Sequence, residues 1–295
     1  MNKPHRGTIF VTEAEILAQQ AFPGAQYRTR LLAPACARAA TPGAFVHVQC
    51  SAGIPMRRPL SILRANAAEG WIEVLYKVLG QGLKALAAAV PGERVNVLGP
   101  IGQGFRPDPA RPVAVLIGGG VGIPPLVYLA EELTRTAGRS PEAQAFLGSE
   151  LPFPFAVDTP AGTLADLDVL GIPSILASNA GLPGTRPGYV TALAREWLAA
   201  RTDPERQRMT IYACGPTPML RATQAVAEEF GIPSQLSLEE FMACAVGGCA
   251  GCVVPVMVDG QRQMKRVCVD GPVFDGAAVF EGASRTSPQP AVPAR

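Results

Sequence analysis

Three features of the sequence predict an α/β plus β chain: an antiparallel β-barrel, a Rossmann-like parallel α/β domain, and a small cysteine-bearing C-terminal subdomain. The first hundred or so residues read as short apolar or alternating runs divided by Pro-Gly pairs. From Pro112 the pattern changes to continuous apolar strands that alternate with helical periodicity. The last part gathers Cys244, Cys249, Cys252 and Cys268 in and after a glycine-rich stretch. With 295 residues, 48% hydrophobic and 17% charged, the chain can bury the cores that two domains and a small third one require.

In the barrel region, strands are expected at Thr8 to Val11, Tyr27 to Leu32, Phe45 to Gln49, Trp71 to Val78 and Val95 to Leu98, with turns at Pro23-Gly24, Pro42-Gly43 and Pro91-Gly92. Strands at this spacing suit a small antiparallel barrel. Between strands lies Arg57-Arg58-Pro59-Leu60-Ser61-Ile62. A second segment, Leu75-Tyr76-Lys77 through Gly80-Gln81-Gly82-Leu83, runs from a strand through a glycine turn into a helix. A helix N-terminus behind glycines offers free N–H groups and a positive dipole end to a pyrophosphate. Arg58 can add a guanidinium fork and Ser61 a hydroxyl, although an Arg beside a Pro is equally compatible with a solvated turn.

The α/β region opens on the apolar strand Val113 to Ile117, followed by Gly118-Gly119-Gly120-Val121-Gly122-Ile123-Pro124-Pro125 and a helix from Leu126 to Arg135. A strand, glycine loop and helix in this order let a dinucleotide phosphate approach the backbone, though the loop is not a strict G-x-G-x-x-G. Further strands are expected at Ala143 to Leu147, Ser174 to Ala177 and Thr210 to Ala213, with helices at Val190 to Ala199 and Met219 to Phe230. The strand before Cys214-Gly215-Pro216-Thr217-Pro218-Met219 would deliver that turn to the carboxyl edge of the sheet, where ligands of open parallel sheets bind. Cys214 is therefore either a residue beside a nicotinamide or a buried thiol.

Cys244, Cys249 and Cys252 are spaced C-x4-C-x2-C, and Cys268 follows after fifteen residues. This is the plant-type spacing for a [2Fe–2S] cluster held by four thiolates. Gly247, Gly248 and Gly251 allow a tight loop to wrap a cluster with backbone N–H groups aimed at its sulfurs. The competing readings are structural zinc and buried thiols; zinc sites bring cysteines in close pairs or with histidines, and no histidine follows His47. A hairpin over Val253 to Val258, Asp259-Gly260 and Lys265 to Cys268 would return the fourth cysteine to the first three.

Composition excludes several other classes. The net charge is +2, from 26 Lys and Arg against 24 Asp and Glu, and no basic run makes a case for nucleic acid. The N-terminus has no secretory h-region, and the seven cysteines, an odd number, argue for a reducing cytoplasm rather than a disulfide framework; Cys36 and Cys50 are expected to be structural. Two uncharged stretches of membrane-span length, Pro112 to Ala130 and Phe241 to Val258, are interrupted by clustered Gly or Pro and read as buried soluble segments. The only histidines, His5 and His47, belong to no hydrolytic motif.

The order of motifs resembles the ferredoxin-reductase superfamily and, within it, the family of electron-transfer subunits of two-subunit, NAD-dependent dihydroorotate dehydrogenases. The resemblance runs from the Thr8 strand to about Phe280. Arg58-Pro59-Leu60-Ser61 is similar to the family's flavin-phosphate motif, Leu75-Tyr76-Lys77 and Gly82-Leu83 to its further FAD contacts, and Gly99-Pro100-Ile101-Gly102-Gln103-Gly104-Phe105 to its barrel exit. Gly118, Gly119, Gly120 and Gly122, with Cys214, Gly215 and Pro216, resemble its two pyridine-nucleotide signatures. Cys244, Cys249, Cys252 and Val267-Cys268-Val269-Asp270-Gly271-Pro272 resemble its cluster-binding end. Three departures stand out: Leu83 where the family commonly has Thr, Ala245 where Gly is usual, and a longer C-terminal tail.

The resemblance implies a flavin-binding barrel over 1–109, an NAD-binding domain over 110–232, a [2Fe–2S] subdomain over 233–282 and a disordered tail over 283–295. It implies FAD, NAD and the cluster as cofactors, with Cys214 at the nicotinamide. It also implies a cytoplasmic heterotetramer of two plus two with an FMN-containing catalytic subunit, serving pyrimidine biosynthesis. NAD is preferred over NADP by the resemblance and by Glu150, whose carboxylate would repel a 2′-phosphate if it reaches the ribose. Two alternatives are the small subunit of a ferredoxin-NADP oxidoreductase or sulfide dehydrogenase complex, and a non-enzymatic iron–sulfur redox sensor.

Overall fold

The computed structural model describes residues 9–138, 140–280 and 282. The expected strand start at Thr8, the residue His5 and the tail over 283–295 lie outside the described residues. Six antiparallel strands close the barrel: β1 (Phe10–Phe22), β2 (Gln26–Leu32), β3 (Phe45–Gln49), β4 (Arg58–Asn66), β5 (Trp71–Lys77) and β6 (Arg94–Ile101), in the order β1-β2-β5-β4-β3-β6. The short α1 (Pro34–Ala39) follows β2, and α2 (Gly80–Ala88) follows β5. Val46, Val48, Leu60, Ile62, Val74 and Tyr76 fill the interior.

Two parts of the barrel depart from the sequence reading. The Arg58 segment, expected between strands, is itself β4, and its Leu60 and Ile62 point into the barrel. Pro59 is tolerated near the strand's start, where a missing N–H is least costly. β1 runs for 13 residues rather than ending near Val11. Only Ala14 and Ile16 are fully buried along it, so its Glu and Gln residues disguise the alternation.

The second unit comprises β7 (Val113–Gly119), α3 (Ile123–Ala137), β8 (Ala143–Gly148), the hairpin β9 (Val157–Asp158) and β10 (Thr163–Leu164), α4 (Ala165–Asp168), β11 (Ser174–Ala177), α5 (Val190–Ala199), α6 (Asp203–Gln207), β12 (Met209–Cys214), α7 (Thr217–Phe230) and β13 (Ser234–Ser237). Its sheet has the order β11-β8-β7-β12-β13, all parallel. Helix α3 starts before Leu126 because Pro124 and Pro125 sit in the first turn, where no intrahelical N–H is needed. The order reverses between β7 and β12, which opens a crevice at their carboxyl ends.

The chain then forms β14 (Val253–Val258), β15 (Gln261–Arg266), α8 (Val267–Asp270), β16 (Val273–Asp275) and α9 (Gly276–Val279). Asp259 and Gly260 take φ of 52° and 73° between β14 and β15, as a two-residue I′ hairpin turn requires. Cys268 lies on α8 rather than on the returning strand. Strand β16 pairs antiparallel with β13 at the edge of the parallel sheet. The expected boundary between 232 and 233 therefore falls inside this sheet, because β13 and β16 bury their apolar faces there rather than in a separate unit. Among the described residues, no helix is long and apolar enough to cross a membrane.

Barrel and sheet are joined by a network of charges. Arg64 on β4 meets Glu131 of α3 and Asp166 of α4, and lies 3.8 Å from Glu73 of β5, which also holds Arg30 at 3.0 Å. Burial pushes the Glu131 carboxyl up, and Arg64 offsets only part of that rise. Removing the central cation from such a network leaves several carboxylates uncompensated. Arg64→Leu should therefore lower stability by about 3–5 kcal/mol in urea unfolding, whereas adding Glu131→Leu and Asp166→Leu should restore part of it.

Candidate functional site

At the barrel, Arg58 and the N-terminus of α2 come together. A Cβ built on Gly82 would lie 3.1 Å from Arg58 Nε, so the guanidinium sits directly over the first turn of the helix. That turn has no side-chain cap, which leaves its first N–H groups unpaired within the helix, while Arg58 Nη1 donates to the Met56 and Arg57 carbonyls at 3.1 Å. Pro59 is exposed and Ser61 half-buried on the adjoining face of β4. This donor set fits a flavin pyrophosphate. Leu83 is buried in the barrel core, so at that position the backbone alone is available.

Leu75 and Tyr76 are placed differently from Arg58. Leu75 packs into the core shared with the α/β unit, and Tyr76 lies inside the barrel, stacked on Tyr27 at 5.8 Å. Both are nearly inaccessible, so a flavin can meet them only through their backbone, while Lys77 is half-buried.

The two glycine-bearing turns of the sheet meet at the β7–β12 crevice. A Cβ on Gly122 would come within 2.3 Å of the Cys214 carbonyl oxygen; the close approach of the two turns thus demands glycine there. Gly118 and Gly119 are pressed in the same way by Leu126 and Met219. Gly120, at φ 55°, has nothing within 4 Å and is the open position of the loop. Cys214 closes β12, fully buried, and desolvation pushes its thiol up to about 12. It is held as a neutral, buried thiol, which disfavours nucleophilic attack. Gly215 and Pro216 lead directly into α7.

The cysteine loop precedes β14. The Cys249 N–H lies 3.4 Å from Cys244 Sγ, and the Gly251 N–H lies 3.4 Å from Cys249 Sγ. Burial alone would raise the Cys244 thiol, yet N–H groups of Cys249, Val246 and Gly248 hold it down at about 7. Cys244 interacts with Cys249, and Cys268 interacts with both Cys252 and Cys244, so the four thiols lie in one neighbourhood. The Val267 N–H to Cys252 carbonyl bond of 2.9 Å brings Cys252 and Cys268 together. Among the described residues, no three His, Cys, Asp or Glu side chains converge on a single metal point. Four thiols in a glycine-rich loop, spaced C-x4-C-x2-C with a fourth further on, fit the donor set of a two-iron cluster.

The sequence reading did not single out Arg266, which braces this loop. Its Nη1 donates to the Gly247 carbonyl at 3.0 Å, and its backbone N–H donates to Asp270 Oδ2 at 2.8 Å. The available signal was the Arg and Asp four residues apart on either side of Cys268. Cys36 and Cys50 are buried in the barrel core, where desolvation pushes their thiols up to about 12 and about 11. A cleft of about 320 Å³ lined by Gln103, Arg106, Thr210, Gln235 and Asp270 lies toward the amino ends of β12 and β13, and through Asp270 it borders the helix that carries Cys268.

A flavoprotein-type barrel, a Rossmann-like sheet and a cysteine-bearing loop define an oxidoreductase of the ferredoxin-reductase type with its own iron–sulfur end. The family profile for the iron–sulfur cluster binding domain of dihydroorotate dehydrogenase B matches residues 239–280. The dihydroorotate dehydrogenase B (NAD(+)) electron transfer subunit of Desulforamulus reducens is 35% identical over 267 residues, covering 90% of this chain and 96% of that protein. The corresponding subunit of Bacillus caldolyticus is 38% identical over 243 residues, covering 81% and 86%. A chain of the NADH-dependent reduced ferredoxin-NADP oxidoreductase, solved in a study of flavin-based electron bifurcation, superposes with a TM-score of 0.73 at 26% identity, covering 91% of this chain and 90% of that one. The chain belongs to the family of dihydroorotate dehydrogenase B electron transfer subunits.

Gly247 takes φ 79°, and a Cβ there would come within 2.5 Å of Val269 Cγ2. Gly247→Ala should destabilise the loop by about 2–4 kcal/mol, from left-handed strain plus overpacking. Iron and acid-labile sulfide per flavin, measured after anaerobic purification, should fall in step.

Proposed function

We propose that this chain carries electrons from an FMN-containing catalytic subunit, where dihydroorotate becomes orotate, through a [2Fe–2S] cluster and FAD to NAD⁺. FAD accepts or delivers a hydride and exchanges electrons singly, which lets it connect a one-electron cluster to a two-electron nicotinamide. The observation that carries this reading is the gathering of four cysteines in one loop and helix on a reductase fold, with Cys249 exposed at the surface.

In this reading Arg58 and the α2 N-terminus hold the flavin phosphates, and Ser61 and Pro59 line the flavin seat. Gly120 admits the dinucleotide phosphates to the crevice while Cys214 bounds the nicotinamide. Cys244, Cys249, Cys252 and Cys268 hold the cluster, and Arg266 keeps their loop closed. In this reading the oxidation of dihydroorotate belongs to the partner. The barrel over 1–109, the nucleotide unit from 110 and the cluster insertion around 239–280 are the working divisions of the chain. NAD rather than NADP is the acceptor: exposed Glu150 follows β8 and would repel a 2′-phosphate. A two-plus-two heterotetramer in the cytoplasm completes the proposal; the seven free cysteines suit a reducing compartment.

The cluster loop is flanked by exposed apolar side chains: Phe241 is 94% accessible, Met264 58% and Val246 42%. Such side chains beside an electron exit support docking of the catalytic subunit there. Phe241→Glu should weaken assembly by about tenfold or more in a titration of the two subunits while leaving iron and flavin content unchanged.

The reading as a whole is tested by anaerobic co-purification with an FMN protein and assay of dihydroorotate-dependent NAD⁺ reduction. Absence of flavin, iron and sulfide from the purified chain would overturn it. Reduction of ferredoxin in place of dihydroorotate oxidation would favour the reading suggested by the ferredoxin-NADP oxidoreductase likeness. Cys249→Ser should spare NADH-to-ferricyanide activity, which needs only flavin, and abolish transfer to the partner. Equal loss of both would show that the cluster is required for folding.

A further inference from the structure

His47 is fully buried, yet neither of its ring nitrogens has a hydrogen-bond partner among the described residues. It lies at the middle of β3, where Val46 and Val48 turn into the barrel while Phe45 packs outward against the core shared with the cluster region. His47 alternates with Val46 and Val48 and so faces outward with Phe45. Its cross-strand neighbours are Pro59, within the Arg58 to Ser61 segment, and Leu98, which packs on the same outer core.

Met242 packs against the same outer core as Phe45 and Leu98, and its backbone and that of Arg57 interact with the ring without completing a hydrogen bond of good geometry. Met242 stands two residues before Cys244. One imidazole thus adjoins both the strand that carries the flavin seat and the segment that enters the cysteine loop. Burial, with the charges of Arg57 and Arg58, pushes His47 down to about 4, so the ring is neutral and has one N–H to give. For packing alone, an apolar side chain would serve this position better than an imidazole with two unpaired nitrogens.

We propose that His47 is the positioning residue that latches the cluster loop onto the flavin-side barrel, its ring N–H donating to the Met242 carbonyl when the loop closes around the cluster. The latch fixes how the cluster sits relative to the flavin seat. This inference rests on the flavin and cluster reading above and adds to it a residue that touches neither group.

The test uses the full-length chain, prepared anaerobically, with His47→Phe, His47→Asn and His47→Gln. Phe keeps the volume and removes both nitrogens, while the amides place a donor near one or the other nitrogen position. Three quantities are measured: iron and sulfide per flavin, the rate at which a chelator bleaches the cluster, and the rate at which NADH reduces it. With His47→Phe, bleaching should be about tenfold faster and cluster reduction about tenfold slower, the size of one lost hydrogen bond. At least one amide variant should recover most of both.

A His47→Phe protein that bleaches and reduces like the unaltered chain, or that melts higher with its cluster intact, would show that His47 only fills space and would overturn the proposal. So would failure of both amides alongside Phe. If His47→Phe loses flavin as well, the amide variants decide: recovery by either supports the latch, and failure of both overturns it. An unaltered chain without iron and sulfide would instead sink the proposed function itself, which separates the two failures.

Discussion

The relation between barrel and sheet depends on Arg64. A flavin held on the barrel and a nicotinamide held on the sheet can meet only if the two units keep one mutual orientation. Apolar packing resists separation but is poor at choosing among orientations, since it is non-directional. Arg64 supplies direction: one guanidinium faces Glu73 in its own unit and Glu131 and Asp166 in the other. Burying that many charges contributes little net stability, but a misaligned interface would strand each of them.

The cluster end uses a different device. Its two-stranded hairpin turns Val254 and Val256 into the same core that receives Phe45, Ile101 and Phe274. The other face of the hairpin and much of the cysteine loop remain exposed. Gln103 on the barrel exit and Pro272 beyond the last cysteine form a bridge, so the barrel grips the segment just after the cluster site. One side of the cluster loop is thus tied to the reductase body while the other faces outward, an arrangement that suits passage of electrons through the molecule.

The sequence made the major architecture legible where periodicity and punctuation agreed. The runs Phe45–Gln49, Ser174–Ala177, Val190–Ala199 and Val253–Val258 coincide with β3, β11, α5 and β14. It was opaque where function and structure share residues. Arg58 to Ile62 carries a phosphate-type motif and forms β4 at the same time, and its Arg and Pro residues hide the strand. Spacing located the four cysteines, but only the fold puts Cys268 on a helix instead of on the returning strand. The glycine loop read as one phosphate site, whereas packing claims Gly118, Gly119 and Gly122 and leaves Gly120 open. His47 gave no signal, because nothing local distinguishes a latch from an ordinary barrel residue.

Strands β13 and β16 are antiparallel neighbours, with Ser237 opposite Val273. The chain leaves the sheet for the cluster region and comes back to it at paired positions, as the two arms of a hairpin would. Topologically, the whole cluster unit is therefore an elaborated turn. A chain that joined these two strands by a short loop would keep the pairing at its sheet edge. It would also strip Val254, Val256 and Val267 from the core that holds Phe45 and Ile101, so the one-electron outlet is a turn in topology and a part of the core in packing.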